Sequence, residues 1–414
     1  MMTARGSLGL VGVVGVVGIV GLAACVGAPA ASSSSGTGLS AAVCARKHAG
    51  DLALPPAPPP APLSARDCSI VNCGTNGIWL GAGVQFRTLH LRSDRPNESE
   101  LAVISFSLGS AALRLDVVDD ELLGIMADGT VLSGEGLVGA VLGLGKIDPA
   151  SGAAQVVYTL TIRGVWEQPF QVACTDCRPT FHGYRFEARY AGDGCEARVC
   201  APGLDPDATP SLRGDALVFR GDVYTDTHEV RSVDDLPPGN DDLFNIACTG
   251  TTVSKMHVLR HTTAAFAGAG AQAPPPPSRA QRQALMRMLT ADYCGVGKDF
   301  TRDGTPLRFT LAPGALAVPD GGAYAVAAGD DVALDAVWTP SGAACIGTPR
   351  LVSAGVVDAS RMSEGLKDAC MDRTIPSCSP LGDAGPPWAV PAGSVAVSGF
   401  PKPLVVGLAR APAR

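Results

Sequence analysis

LAVISFSLGSAALRLDVVDDELLGIMADGT, residues 101–130, decides how this chain is read. Two runs within it, LAVISFSL (101–108) and LRLDVVDDELLGIM (113–126), combine β-branched residues with partial alternation of apolar and polar side chains. That period of two is the pattern of a strand with one buried face. Asp128-Gly129 closes the stretch with a turn pair that tolerates positive φ. The same texture extends outward, from Ile78 to Leu91 and through AQVVYTLTI (154–162), with Asn76-Gly77 and Asp193-Gly194 as further turn pairs. Residues 67–240 are therefore expected to form a β-rich domain, a sandwich, barrel or stack of hairpins. The polar loop DDLPPGNDD (234–242) marks its end.

Beyond that loop the pattern changes. LFNIAC (243–248) reads as a strand, and TGTTVSKMHVLRH (249–261) suits a helix or a strand. AGAGAQAPPPP (267–277) is a loop insertion. Ser278 and Gln281 then form a capping box ahead of an apolar stripe, Leu285, Met288 and Leu289, which predicts a helix over 279–293 that stops at Gly295 or Gly297. A β-like portion (305–357) and a short helix near 361–371 complete a second module, 241–375. The tail 376–414 is Pro-rich and is expected to be weakly structured. The fold class is thus mainly β with a few short helices (α+β).

Composition agrees. With 50 Gly and 33 Pro in 414 residues and only 17% charged side chains, against a usual figure of about 25%, the chain suits short strands and many turns, not a helical bundle. Net charge is −7 and no long basic run occurs, which excludes a nucleic-acid partner and electrostatic adhesion to anionic lipid.

The first residues read as an export signal. Arg5 precedes the apolar run LGLVGVVGVVGIVGLAA (8–24), which is marginal for a permanent span and suits a cleaved signal. The run ends in Leu22-Ala23-Ala24-Cys25, which resembles the lipobox of bacterial lipoproteins. Residues 1–24 are then removed and Cys25 is acylated, so the lipid bilayer becomes a partner through the anchor. An ordinary secretory signal cut near Ala28 or Ala30 is the alternative. Val26 carries no inner-membrane retention signal by resemblance to other lipoproteins, which points to the outer membrane or cell surface; a periplasmic or secreted protein is the alternative. Residues 25–66, with SSSS at 32–35 and PPAPPPAP at 55–62, form a tether.

Thirteen cysteines are an odd number for an exported chain. Acylation of Cys25 leaves an even set: Cys44, Cys68, Cys73, Cys174, Cys177, Cys195, Cys200, Cys248, Cys294, Cys345, Cys370 and Cys378. Outside the cytoplasm such residues are expected to pair. Four spacings suggest local loops, Cys68/Cys73, Cys174/Cys177, Cys195/Cys200 and Cys370/Cys378, although connectivity does not follow from spacing. Cys174, Cys177, Cys195 and Cys200 also resemble a zinc ribbon with too wide a second knuckle. A thioredoxin-like role for Cys174/Cys177 is weakened by Arg178-Pro179, since that motif should open a helix.

Catalytic motifs are scarce. Gly139 to Ile147 skirts a phosphate-binding loop but lacks its first glycine and its magnesium-binding Ser/Thr, and reads as a buried Gly-rich strand. His257 and His261 stand four apart, the spacing of two metal ligands on one helical face, with no carboxylate between them. Arg213-Gly-Asp215 and Arg220-Gly-Asp222 mimic an adhesion tripeptide, and the acidic loop 234–242 has calcium-binding side chains without regular spacing. No metal or other cofactor is expected.

Ala291-Asp292-Tyr293-Cys294, followed by GVGKDFTRDGTPL (295–307), resembles the ADYC domain, a family of exported bacterial proteins, often lipoproteins. FNIACTGTTVSK (244–255), Gln283-Ala284, Arg287-Met288 and AVWTPSGAACI (336–346) support the resemblance, and LLGIMADGTVLSGEGLVGA (122–140) looks like what precedes the domain. Two departures stand out: family members tend to carry cysteines where Met256 and Leu285 stand here. The resemblance implies a domain of unknown function. Within the motif, Tyr293 would pack, Cys294 bridge, Asp292 bond to nearby backbone and Gly295 cap. The resulting expectation is a non-enzymatic binding or scaffolding lipoprotein, its protein or glycan partner unknown. An envelope hydrolase with a site built around His182 or His228 is one alternative, and metal- or calcium-dependent adhesion is a second.

Overall fold

The computed structural model describes residues 79–401, apart from 192–195, 201–214, 302–307, 312–331, 379–395 and the short gaps 81–83, 86–87, 98–99, 149, 173, 226, 238–239, 267, 354, 356 and 372. The signal segment, the tether and Cys25, Cys44, Cys68, Cys73 and Cys195 lie outside the described residues.

Described strands begin with a two-strand ladder, β1 (Trp79–Leu80) with β2 (Val84–Gln85). Then come β3 (Thr88–His90), β4 (Ala102–Leu108) and β5 (Ala111–Ala112). The opening stretch of the sequence continues as a separate three-stranded meander, β6 (Arg114–Val118), β7 (Glu121–Ile125) and β8 (Val131–Leu132). It is followed by β9 (Ala140–Ile147), β10 (Ala154–Pro169), β11 (Thr180–Tyr190), β12 (Glu196–Arg198) and β13 (Ala216–Arg220). A short pair, β14 (Val223–Tyr224) with β15 (Val230–Arg231), precedes β16 (Leu243–Cys248).

One antiparallel sheet gathers nine of these strands in the order β3-β16-β13-β11-β10-β9-β4-β5, with β12 on β11. Its Gly-rich member is β9, so residues 140–147 are a strand between β4 and β10 and not a phosphate cradle. Gly145 shows why that strand lacks side chains: a Cβ there would sit 2.3 Å from the Gln155 carbonyl oxygen. The division drawn at 240 cuts through this sheet near one edge. β16, placed by sequence in the second module, pairs with β13 on one side and β3 on the other.

Both faces of the sheet are covered near β13 and β16, which is why those strands are buried along nearly their whole length and mostly apolar, with Asn245 the polar exception in β16. On one face Val218, Phe244 and Ile246 meet Leu115, Val117 and Leu122 of the meander. On the other, Leu217, Phe219 and Ala247 meet two helices, α1 (Thr252–Val258) and α2 (Arg279–Thr290). Met256 on α1 and Leu285 on α2 are both fully buried in that second core, so apolar packing fills the two positions where the family tends to carry cysteines.

A second sheet closes the far side of the helices. β17 (Arg308–Leu311), β18 (Val332–Thr339) and β19 (Gly342–Ile346) are followed by α3 (Arg350–Ser353), α4 (Ala359–Cys370) and β20 (Ala396–Pro401). The order is β17-β20-β18-β19. The tail expected to be weakly structured thus supplies a central strand: Ser398 is buried and accepts a hydrogen bond from Trp338 Nε1 at 2.8 Å.

Four disulfides are described, and three are long-range. Cys174–Cys177 is local, whereas Cys200 pairs with Cys248, Cys294 with Cys370 and Cys345 with Cys378, across 48, 76 and 33 residues. The expected loops Cys195/Cys200 and Cys370/Cys378 are therefore not formed, because Cys200, Cys370 and Cys378 each meet a partner brought to them by sheet and helix packing. These pairs also consume Cys174, Cys177 and Cys200, three members of the zinc-ribbon quartet. The chain-entropy model credits the longest described loop with about 4–5 kcal/mol and the shortest with about 2 kcal/mol.

Candidate functional site

Helix α2 begins as its sequence predicts. The Ser278 hydroxyl accepts from the Gln281 amide while the Gln281 side chain accepts from the Ser278 amide. It ends earlier than expected, at Thr290, because Ala291 takes a left-handed conformation (φ 52°) and turns its amide back to the Arg287 and Met288 carbonyls. The ADYC residues are this turn. Asp292 bonds the amides of Val296 (3.1 Å) and Gly297 (2.8 Å), so its carboxylate ties off the loop that leaves the helix. Cys294 bridges to the last residue of α4. Gly295, at φ 73°, admits no side chain, since a Cβ would stand 2.1 Å from the Ser341 carbonyl oxygen.

Two buried ionic clusters meet at this turn. In the first, Asp292 faces Arg287, which donates to it, and His228, whose Nδ1 lies 3.4 Å away. The other imidazole nitrogen lies 2.9 Å from Asp299. His228 itself is 1% exposed and sits at φ 56°, where Gln283 holds its carbonyl at 2.7 Å. Burial alone would lower the pKa of His228, but its bonds to Asp292 and Asp299 and their charges outweigh that, and it is pushed up to about 9. Burial likewise opposes ionisation of Asp292, yet His228 and Arg287 hold its carboxyl below the usual range.

A pH prediction follows from the direction of the His228 shift. Below about 6.5 the histidine is protonated folded or unfolded, and the cluster stabilises fully; that stabilisation, about 3 kcal/mol, is lost as pH rises through about 9. Urea unfolding of wild type and His228→Gln at pH 6 and pH 9.5 checks it. Only the wild type should show the step, and a flat wild-type profile would refute an ionised His228.

The second cluster lies on the other side of the turn. The Tyr293 hydroxyl donates to Asp335 Oδ1 at 2.6 Å and accepts from the Arg350 amide at 2.7 Å, while its ring stacks 5.2 Å from Trp338. Asp335 also accepts from Arg350 Nη2 (3.0 Å) and Ser398 Oγ (2.8 Å). Arg350 reaches the carbonyls of Met288 (2.7 Å) and Leu289 (3.2 Å), supplying donors to the C-terminal end of α2. Burial, reinforced by the Asp335 charge, holds the Tyr293 phenol well above its ordinary range, so it stays protonated.

The remaining histidines and acids named from sequence are likewise engaged. His257 is fully buried between Asp120 (3.1 Å) and Thr262 (2.8 Å), stacked on Phe219. His261, on the same segment, bonds the Leu259 carbonyl at 2.7 Å, and burial drops its pKa to about 4, so the two do not form a metal pair. His182 lies 3.7 Å from Glu121. Asp215 pairs with Arg185 and Asp222 with Arg282, which turns the carboxylates of both Arg-Gly-Asp tripeptides inward. In the acidic loop Asp235 pairs with Arg279 and Asp242 with His90. Among the described residues no three His, Cys, Asp or Glu side chains gather as a metal site would require.

Open space occurs elsewhere. A cavity of about 380 Å³ lies between β19, α3, α4 and residues 373–377, lined by Ile346, Val352, Met362, Leu366 and Ile375 with Lys367 among them. Two disulfides frame it. Cys294–Cys370 fixes the end of α4 to the ADYC turn, and Cys345–Cys378 fixes the opposite wall to β19. Between them Arg373 donates to the carbonyls of Cys294 (3.0 Å) and Ala343 (2.8 Å), and Ile346 exchanges backbone bonds of 3.0 Å with Pro376 and Cys378. Met371, at the end of α4, is 82% exposed beside this groove.

Sequence reading missed Asp335, Arg350, Arg287 and the groove. A trace of the first and third was present: Asp335 interrupts the apolar run VALDAVW (332–338), and Arg287 interrupts LMRML (285–289) on the buried face of α2. The groove left no trace, because its residues come from four separate segments.

The family model of the ADYC domain matches residues 134–352. That stretch starts well before residue 241 and takes in β9 through β16 together with α1 and α2. No curated protein and no solved structure matches the chain. Since the match covers more than half of the 414 residues and includes the turn described above, this chain belongs to the ADYC domain family.

Proposed function

We propose that this is a membrane-anchored envelope lipoprotein that binds an apolar ligand or partner segment in the groove beside α4. The groove carries the reading: a concave, mostly apolar cavity of about 380 Å³ falls in the size range of small-ligand sites, and two crosslinks hold its walls before anything enters. The ionic clusters support binding over hydrolysis, because His228 and His257 are 1% and 0% exposed and their ring nitrogens face carboxylates or a threonine within the core. Disulfides at these positions suggest an extracytoplasmic location, and among the described residues no helix is long and apolar enough to cross a membrane. Attachment then rests on acylation of Cys25, with the outer membrane or cell surface as destination.

One preparation tests both halves. Intact-mass measurement of the mature protein should show an acyl adduct and no alkylatable thiols without reductant. Leu366→Trp, which fills the groove, should weaken saturable binding of an apolar fluorescent probe by about tenfold or more, the worth of burying one or two methylene groups. Unchanged affinity in a folded variant would refute the groove as the site.

A further inference from the structure

Among the four described disulfides, Cys174–Cys177 stands apart. It is the only one in which both cysteines are partly exposed; each of the other three has at least one buried member. It also closes the shortest loop, three residues in separation against 33 to 76, so it restricts the unfolded chain least.

Its loop is also held without it. The β10–β11 ladder runs to Pro169 opposite Thr180, and the Phe170 amide bonds the Pro179 carbonyl at 3.1 Å. The buried Arg260 guanidinium clamps both limbs, donating to the Val172 carbonyl at 2.8 Å and the Arg178 carbonyl at 2.5 Å. The Gln171 amide bonds the Val258 carbonyl at 3.1 Å. At the tip, Asp176 is fastened twice, by the Gly270 amide to its carbonyl (2.8 Å) and by the Gln272 amide to its carboxylate (3.0 Å). Gly270 is needed for that approach, since a Cβ would stand 1.9 Å from the carboxylate. The loop is therefore anchored on both sides of each cysteine, and the S–S bond adds little that these contacts do not supply.

We propose that Cys174–Cys177 is a thiol–disulfide exchange site that accepts two electrons from a protein presenting a dithiol, while the three longer bridges are permanent crosslinks. A thiolate of the partner attacks one sulfur of the pair, breaking its S–S bond and forming a mixed disulfide. The displaced thiolate takes up a proton. The second thiolate of the partner then attacks the mixed disulfide and leaves with its own disulfide formed, and Cys174 and Cys177 remain as two thiols. Two S–H groups are oxidised on the partner for two gained here. This differs from a thioredoxin-type centre, since the pair lies in a hairpin loop between two strands and does not open a helix.

Dithiothreitol serves as the model dithiol. The mature protein is equilibrated with graded concentrations, quenched with an alkylating reagent and mapped by peptide mass. Cys174 and Cys177 should be alkylated together at about one tenth or less of the concentration that opens Cys200–Cys248 or Cys294–Cys370, with the melting temperature retained. Cys177→Ser, which leaves Cys174 free, should form a one-to-one mixed disulfide when given oxidised glutathione. Opening of this pair together with or after the longer bridges would overturn the proposal. So would unfolding of the Cys174→Ser/Cys177→Ser double variant, which would make the bond a structural staple, or failure of Cys177→Ser to capture glutathione.

Discussion

Replacing Asp292 by Asn is expected to destabilise the fold by about 3–5 kcal/mol, a large share of what a domain of ordinary stability possesses. The reason lies in what surrounds it. Asp292 is fully buried, and its carboxylate is the shared counter-charge of Arg287 and His228. Asn keeps the size but has one carbonyl oxygen, so it can accept from only one of the Val296 and Gly297 amides, which bond different carboxylate oxygens; the loss is one of charge and one acceptor, not shape. His228 can shed its proton in response; Arg287, 4% exposed, cannot. Urea unfolding of the oxidised protein measures the effect, and a loss below about 1 kcal/mol would show that the cluster is not an ionised one.

Arg350→Met should cost a similar amount, about 3–5 kcal/mol, for a complementary reason. The substitution strands Asp335, fully buried, with only the Tyr293 and Ser398 hydroxyls as donors, and removes the Arg350 donors from the Met288 and Leu289 carbonyls, the first of which keeps the Ala291 amide. The diagnostic comparison is Asp335→Leu combined with Arg350→Met. If the charge left behind is what costs, the double variant should be more stable than Arg350→Met alone. Strict additivity of the two losses would instead assign the effect to lost packing and lost capping.

Both clusters explain why the four-residue motif reads as it does. Ala291 makes the left-handed turn, Asp292 neutralises one cluster, Tyr293 joins the other and Cys294 crosslinks α4. Three of these jobs are legible from the residues alone, because a short acid bonds nearby amides, a tyrosine packs and an exported cysteine bridges. Their targets are not legible. Arg350, Asp335 and Cys370 lie 42 to 76 residues away, and nothing local in the chain encodes which distant group arrives.

The same distinction runs through the fold. Helix α2 could be read in advance since its cap and stripe are contiguous, although its stop at the left-handed Ala291 was not, and β16 since its run is mostly apolar. β20 could not. AVSGFP (396–401) has a glycine and a proline in six residues, poor strand chemistry, and its place is set by neighbours, β18 on one side and β17 on the other. Disulfide connectivity was hidden for a related reason: proximity in sequence favoured Cys370/Cys378, whereas the β19 edge and the ADYC turn recruit those cysteines separately.

The position of β20 has a temporal consequence. Any process that delivers the chain amino end first, ribosomal synthesis included, presents β17, β18 and β19 well before the strand that belongs between the first two. Until residue 398 arrives, Trp338 lacks its acceptor and Asp335 one of its donors, so the second sheet must wait half-assembled with a gap at its centre. Cys294–Cys370 and Cys345–Cys378 link residues that emerge earlier, so outside the cytoplasm both bridges can form before the closing strand is inserted.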